Sequence, residues 1–311
     1  MAGSASREGR TTDRRTLVRA WLVLVVMGAT WGLSFSLARM CAATRGAHPL
    51  GIAFWECWIA GLLLLCLIVF RRMPLPVTFG LLRLHLITGL VGMVIPGAAF
   101  FYAASHVPAG VLSITIGIVP VLTFAASAVF GLEKFAVGRV AGVILGALAV
   151  VLLVGPEGSL PDPTQLSWVL LALVSAASYT TLNLVLALMA PPRASSLMLT
   201  CGMFVVASLL MVPVVYATGS FVPFGWPWGM TEWSLLGLGL VNAAAYPLYF
   251  FLIDHAGPVF GSLTANMVTL FGVIWGIIIF SERNSIWVWL SFATLMVALA
   301  MVAPRARAAV V

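Results

Sequence analysis

The stretch FYAASHVPAGVLSITIGIVPVLTFAASAVFGLEK, Phe101 to Lys134, occurs twice in this chain in diverged form. A shift of 149 residues aligns it without a gap to FFLIDHAGPVFGSLTANMVTLFGVIWGIIIFSER, Phe250 to Arg283. Both copies have identical residues at Phe101/Phe250, His106/His255, Ser113/Ser262, Thr115/Thr264, Val119/Val268 and Glu133/Glu282. Each copy contains a polar junction, a helix of about 20 small and apolar residues, and then an acid–base pair. This shared plan predicts an internal duplication.

The composition is that of an integral membrane protein. Of 311 residues, 62% are hydrophobic and 8% are charged, which is too few charges for a water-soluble chain of this length. The net charge of +7 comes from short basic clusters between apolar runs. These clusters do not form the basic stripe with interleaved aromatics that is typical of nucleic-acid binding. We therefore predict the lipid bilayer, and no nucleic acid, as a partner.

Ten apolar runs are long enough to cross a bilayer as helices, which predicts an all-α integral membrane protein. The runs lie at about 20–42, 50–70, 84–106, 109–131, 138–155, 167–189, 196–217, 234–254, 258–280 and 285–303. They divide into a first five-helix repeat, 20–155, and a second, 167–303. We predict a disordered basic tail at 1–15 and a cytoplasmic tail at 304–311. Arg14 and Arg15 resemble a twin-arginine export signal, but the following run can span the bilayer, so we expect it to remain uncleaved.

The odd number of helices in each repeat predicts that the second repeat enters the membrane upside down relative to the first. The distribution of basic residues then sets the orientation, because cytoplasmic loops carry the excess of lysine and arginine. With the N-terminus inside, thirteen of the sixteen basic residues are cytoplasmic, and only Arg39, Arg45 and Arg283 are outside. We therefore predict a multi-pass protein of the plasma or inner membrane with both termini in the cytoplasm.

Common catalytic and nucleotide-binding motifs are missing from the sequence. The only lysine, Lys134, precedes Phe135, so a GxxxxGK[ST] phosphate-binding loop cannot occur, and neither HExxH nor GxSxG is present. Four cysteines lie within or at the edge of apolar runs, with no CxxC pair, which favours buried free thiols over a metal site. We expect no cofactor, no metal and no enzymatic activity.

The chain resembles the ten-helix EamA branch of the drug/metabolite transporter superfamily in three features. These are the duplication, the Trp31-Gly32 pair in the first helix, and the stretch that contains Pro120 and Glu133. The resemblance covers nearly the whole chain, Ala20 to Ala303. It implies a secondary transporter, often an exporter of amino acids or other small metabolites. It also implies a central cavity formed largely by helices 1, 3, 4, 6, 8 and 9.

Inverted repeats place a substrate site near the bilayer midplane, where polar side chains on broken or loosely packed helices face a water-filled cavity. Polar and aromatic residues far from the ends of the apolar runs are therefore the candidates. For substrate binding we select Trp31, Ser34, Glu56, Tyr102, Thr115, Tyr179, Asn183, Asn242, Tyr246 and Asn266. For the aromatic residues the alternative is helix packing, and for the asparagines it is hydrogen bonding between helices.

Glu56 is the acidic residue placed well within a predicted span, in FWECWIAG of the second helix, where many relatives of the resembled family have arginine. An ionised carboxylate in hydrocarbon costs several kcal/mol, so Glu56 must be neutral, paired or in contact with water. Arg39 is the candidate for a structural ion pair. The alternatives are that Glu56 couples transport to protons or binds a cationic group of the substrate.

Two further features have structural explanations. Glu133 and Glu282 lie just ahead of helices 5 and 10, where a carboxylate favours the positive end of a helix. Gly138, Gly142 and Gly146 form a GxxxGxxxG face, which we expect to pack on a neighbouring helix of the same chain.

The sequence therefore favours a gradient-driven or proton-driven exporter of amino acids or related metabolites that works by alternating access. A multidrug or cation efflux transporter and a non-transporting membrane scaffold are the alternatives. An enzyme would need a nucleophile, a base or metal ligands that converge at membrane depth, and four scattered histidines do not supply them.

Overall fold

A computed structural model describes residues 14–43, 47–74, 78–133, 136–156, 158–191, 194–256 and 258–303. The predicted tails fall almost entirely outside these residues, as do Arg45 and Lys134. The regular structure of the described residues is helical. The helices are α1 Arg14–Ala43, α2 Pro49–Phe70, α3 Phe79–Gly89, α4 Ile95–Ala104, α5 Ala109–Gly117, α6 Val119–Val129, α7 Val137–Val154, α8 Gln165–Met189, α9 Ser196–Ala217, α10 Met230–Ala256, α11 Pro258–Phe280 and α12 Ile286–Val302.

The helices coincide with the ten predicted apolar runs. Eight helical stretches among the described residues are long and apolar enough to cross a bilayer, and α12 is a shorter apolar helix of 17 residues. The remaining run is occupied by α10, which has 27 residues. The prediction of an all-α membrane protein with two repeats is thereby confirmed.

Two of the ten membrane-crossing segments are broken in the middle, namely the third and the fourth. The fourth consists of α5 and α6. The third consists of α3, a π-helical segment Leu90–Val94, and α4, which has proline in its first turn at Pro96. The carbonyls of Val91 and Pro96 accept hydrogen bonds from Ser178 and Ser175 of α8 at 2.7 and 2.8 Å. The break in the third segment is therefore stabilised by hydroxyl groups of the second repeat.

The pairing of the helices is the same when the two repeats are exchanged. The second helices of the repeats, α2 and α9, pack on each other, as do the fifth, α7 and α12. The first helix of each repeat packs on the third and fourth segments of the other: α1 lies against α10 and α11, and α8 against α4, α5 and α6. Because each repeat crosses the membrane five times, the second repeat is inverted relative to the first.

Small residues let the helices approach closely at these interfaces. A Cβ atom at Gly32 of α1 would lie 2.9 Å from the backbone nitrogen of Gly272 and the carbonyl oxygen of Val268, both in α11. Gly32 therefore permits backbone contact beside Trp31. In α7, Gly142 approaches α12 and Gly146 approaches α6, as expected for packing within the chain.

The connection between the repeats contains a side-chain hydrogen bond just ahead of α8. The Asp162 carboxylate accepts a hydrogen bond from the Thr164 N–H at 2.8 Å, one residue before the helix. This hydrogen bond holds the pKa of Asp162 below its ordinary value. The carboxylate therefore carries its negative charge near the positive end of α8.

Candidate cavity and its closed end

A cavity of about 850 Å³ lies between the two repeats, within the usual size range of small-molecule sites. Its deep end is lined by Trp31, Glu56 and Asn242, and its mouth by Arg139 and Ala303, among others. The mouth lies at the membrane face where α6, α8 and α12 end. The first, third, fourth, sixth, eighth and ninth membrane-crossing segments all contribute residues to the lining, together with residues of other segments.

Glu56 and Asn242 form a hydrogen-bonded pair in the cavity wall. The Asn242 side-chain amide donates to the Glu56 carboxylate at 2.8 Å and also to the Leu238 carbonyl at 3.1 Å. The pair joins α2 of the first repeat to α10 of the second. The predicted ion pair between Glu56 and Arg39 is wrong, because Arg39 binds Glu282 near the other face of the membrane.

Aromatic rings flank this pair. Trp31 and Tyr246 make an edge-to-face contact with ring centroids 5.2 Å apart, and Tyr249 lies 6.5 Å from Trp31 in a similar arrangement. Tyr179 lines the cavity from α8. Aromatic faces and edges next to a carboxylate form a surface suited to a ligand with both charged and apolar parts.

Further polar groups border the cavity. The Asn183 amide donates to the Thr123 hydroxyl at 3.1 Å, which links the two repeats nearer the mouth. Ser34 donates to the Trp31 carbonyl of its own helix at 2.6 Å. Thr264 is only 5% exposed, lines the cavity and has no hydrogen-bond partner for its hydroxyl among the residues described.

Seven of the ten predicted site residues line the cavity, and three lie elsewhere. Tyr102 is near the end of α4, where its hydroxyl is 3.4 Å from Nε2 of His48. Thr115 is buried and donates to the Val111 carbonyl. Asn266 lies on the face of α11 opposite the lining residues Thr264 and Val268. We therefore remove Tyr102, Thr115 and Asn266 from the candidate site.

Sequence reasoning missed Thr123, Thr264 and Tyr249. The internal repeat contained a signal for one of them, because Thr264 is the counterpart of Thr115. The two threonines differ in environment, since the cavity is open to only one face and the repeats are therefore not in equivalent positions. Thr123 and Tyr249 had no sequence signal beyond polarity within an apolar run.

The end of the protein opposite the mouth is closed around Glu282. Its side chain is 6% exposed and forms an ion pair with Arg39 of α1. The same carboxylate accepts hydrogen bonds from the backbone N–H groups of Ala109, at 2.7 Å, and Gly110, at 3.0 Å. Arg39 also lies over the Phe280 ring, 4.6 Å from its centroid. Glu282 therefore caps α5, which corrects the prediction that it serves α12.

Glu133, the counterpart of Glu282 in the first repeat, has different surroundings. Its side chain is 47% exposed at the mouth and pairs with Arg139 at 2.9 Å. Arg139 also donates to the Val302 carbonyl at the end of α12, at 3.1 Å. The two equivalent glutamates thus lie at the closed and the open end of the protein.

A metal ion in the described part of the chain would need a ligand set, which is a cluster of histidine, cysteine and carboxylate side chains. No cluster of three or more histidine, cysteine, aspartate or glutamate side chains occurs there. The four cysteines are free, and three of them are buried.

These features define a multi-pass membrane protein with a central cavity between two related halves. The chain belongs to the EamA-like transporter family, whose sequence profile matches residues 19–155 and 166–303. The family is one of transporters rather than enzymes.

Two individual proteins are also similar. An uncharacterized transporter of Archaeoglobus fulgidus is 27% identical over 168 residues, which are 53% of this chain and 57% of that relative. The match therefore spans a little over half of the relative's length. One crystal structure is also similar. The superposition covers 93% of this chain and 99% of the chain in that crystal structure, with a TM-score of 0.62 and 18% identity. It has the same fold.

Proposed function

We propose that this chain is a secondary active transporter that exports amino acids or related small metabolites by alternating access. The observation that carries the proposal is a cavity that reaches one membrane face while Glu282 closes the other. A channel would need a path open to both faces. Two inverted repeats instead provide a pair of equivalent conformations, each open to one side.

The two equivalent glutamates support this mechanism. Glu282 bridges α1 and the N-terminal end of α5, whereas Glu133 pairs with Arg139 within its own repeat. If each repeat adopted the present conformation of the other, Glu282 would be released and Glu133 would move toward the second repeat. That exchange would open the closed end and close the present mouth.

We propose export, with the open mouth on the cytoplasmic side. With both termini in the cytoplasm of a plasma or inner membrane, the open mouth faces the cytoplasm. Substrate would enter from the cytoplasm and leave on the outer side. We also propose proton coupling, because Glu56 is a carboxylate in the cavity wall that a proton can neutralise.

Counterflow in proteoliposomes tests the function. Vesicles are preloaded with unlabelled solute, and uptake of radiolabelled amino acids, nucleobases and cationic drugs is measured with and without a pH gradient. We expect at least one solute to show counterflow, and the pH gradient to drive its accumulation. A variant with Ser34→Trp, which fills the cavity, should be inactive. Absence of counterflow for every solute would favour the scaffold.

A further inference from the structure

The charges that line the cavity are unevenly distributed. Among its described lining residues, the charged side chains are Glu56, Glu133 and Arg139. Arg139 is bound to Glu133 and to the Val302 carbonyl at the mouth. The deep end therefore has one carboxylate, Glu56, and no basic side chain of the described lining to neutralise it.

Among the described residues, the Glu56 carboxylate is hydrogen-bonded to the Asn242 amide. A neutral amide satisfies one lone pair of a carboxylate but does not balance its charge. The aromatic rings of Trp31, Tyr179 and Tyr246 line the same part of the cavity. Aromatic rings around an anionic group attract organic cations through their negative faces.

We propose that Glu56 and these aromatic residues form a subsite for an ammonium group, so that the substrates are organic amines. This inference deepens the proposed function and rests on it. The ammonium group would bind the Glu56 carboxylate, and the apolar part of the amine would contact the rings.

The same arrangement disfavours carboxylic acids. A substrate carboxylate at the deep end would be repelled by Glu56 and would find no free arginine or lysine among the described lining residues. A zwitterionic amino acid would be held by its amino group alone. Amines without a carboxylate should therefore bind at least as tightly as the corresponding amino acids.

Binding of three probes with the same ring tests the proposal on the full-length protein in nanodiscs. The probes are phenethylammonium, 2-phenylethanol and phenylacetate, which are cationic, neutral and anionic, and affinities are measured by titration calorimetry. We expect phenethylammonium to bind at least about tenfold more tightly than the alcohol, a difference of ~1.4 kcal/mol, and phenylacetate to bind more weakly still.

The Glu56→Gln variant keeps the shape of the side chain and removes its charge. We expect it to lose the preference for the cation, whereas Glu232→Gln should retain it, because Glu232 accepts from the Gly229 N–H outside the cavity. Equal binding of the cation and the alcohol to the wild-type protein would overturn the proposal, as would no binding of any probe. Either result overturns it even if Glu56→Gln does not fold.

Unchanged cation affinity in a folded Glu56→Gln protein would also overturn it, and would leave proton binding as the role of Glu56. These outcomes are separate from failure of the proposed function. Counterflow of an amino acid by a protein without cation selectivity would refute the ammonium subsite and preserve the transporter.

Discussion

Asn242 is the residue that supports the Glu56 carboxylate across the interface between the repeats. Replacing it with leucine leaves a carboxylate at membrane depth without that donor, so we expect Asn242→Leu to reduce stability by about 1–3 kcal/mol. In the Glu56→Gln background the same substitution should cost less, because a neutral amide is easier to bury. Thermal unfolding of the four proteins in detergent gives this coupling.

Asn183→Leu is the matched control for this prediction. Asn183 is exposed and donates to the neutral hydroxyl of Thr123. We expect its loss to reduce stability by less than Asn242→Leu does. Equal losses at the two positions, or additive effects of Asn242→Leu and Glu56→Gln, would contradict a special role for the pair.

Residue partners were the part of the site that sequence could least predict. Polarity within an apolar run was enough to select Glu56 and Asn242 separately. It did not indicate that they meet, since 186 residues separate them in the chain. Arg39 was assigned to Glu56 because both are near the outer half of their helices. In the structure Arg39 pairs with Glu282 instead. The acid–base pattern at the end of a helix does not reveal this pairing.

At the scale of helices, close approach of α1 to α11 depends on Gly32. A methyl group there would meet the backbone of α11 at 2.9 Å, so we expect Gly32→Ala to lower stability by about 1–3 kcal/mol. The same substitution at Gly80, near the start of α3, meets nothing within 4 Å. Thermal unfolding should show no loss for Gly80→Ala. An unaffected Gly32→Ala protein would show that the helices can separate freely.

The closed end provides a second prediction for the helices. Glu282→Gln removes the charge that binds Arg39 and the first turn of α5, and each such charge-assisted hydrogen bond is worth about 1.5–3 kcal/mol. In a protein whose native cysteines are replaced, a cysteine at Ser34 reports access from outside the cell. We expect impermeant maleimide to label it at least about tenfold faster in Glu282→Gln.

Glu133→Gln is the control for that measurement, because Glu133 occupies the equivalent position at the opposite end. It should not accelerate labelling from outside. Equal labelling of wild type and Glu282→Gln would show that the glutamate does not hold the outer end closed.

The lengths of the helices were predictable, whereas their interruptions were not. Long apolar runs ended by charges or proline define each crossing, and observed ends mostly agree within a few residues. The π-helical segment Leu90–Val94 has no distinct composition. The Val91 carbonyl of this segment accepts a hydrogen bond from Ser178 of α8, so this break depends on the partner helix rather than on local sequence.

At the scale of the whole molecule, orientation is the first prediction. The excess of basic residues on one side predicts that the loop after α6 is cytoplasmic and that the connection between the repeats is outside. Leu132 and Pro161 are exposed in these two segments. We expect impermeant maleimide on intact cells to label cysteine at Pro161 and not at Leu132. The reverse pattern would invert the topology and place the mouth on the outer side.

Alternating access is the central claim, and spin-label distances across both ends of the cavity test it most directly. One pair of labels replaces Val137 and Ser196 at the mouth, and the other replaces Ala43 and Ile286 at the closed end; all four residues are exposed. We predict that a transported solute or a change of pH shortens distances in the first pair while lengthening those in the second. Distances that lengthen together at both ends, or that never change, would contradict the account.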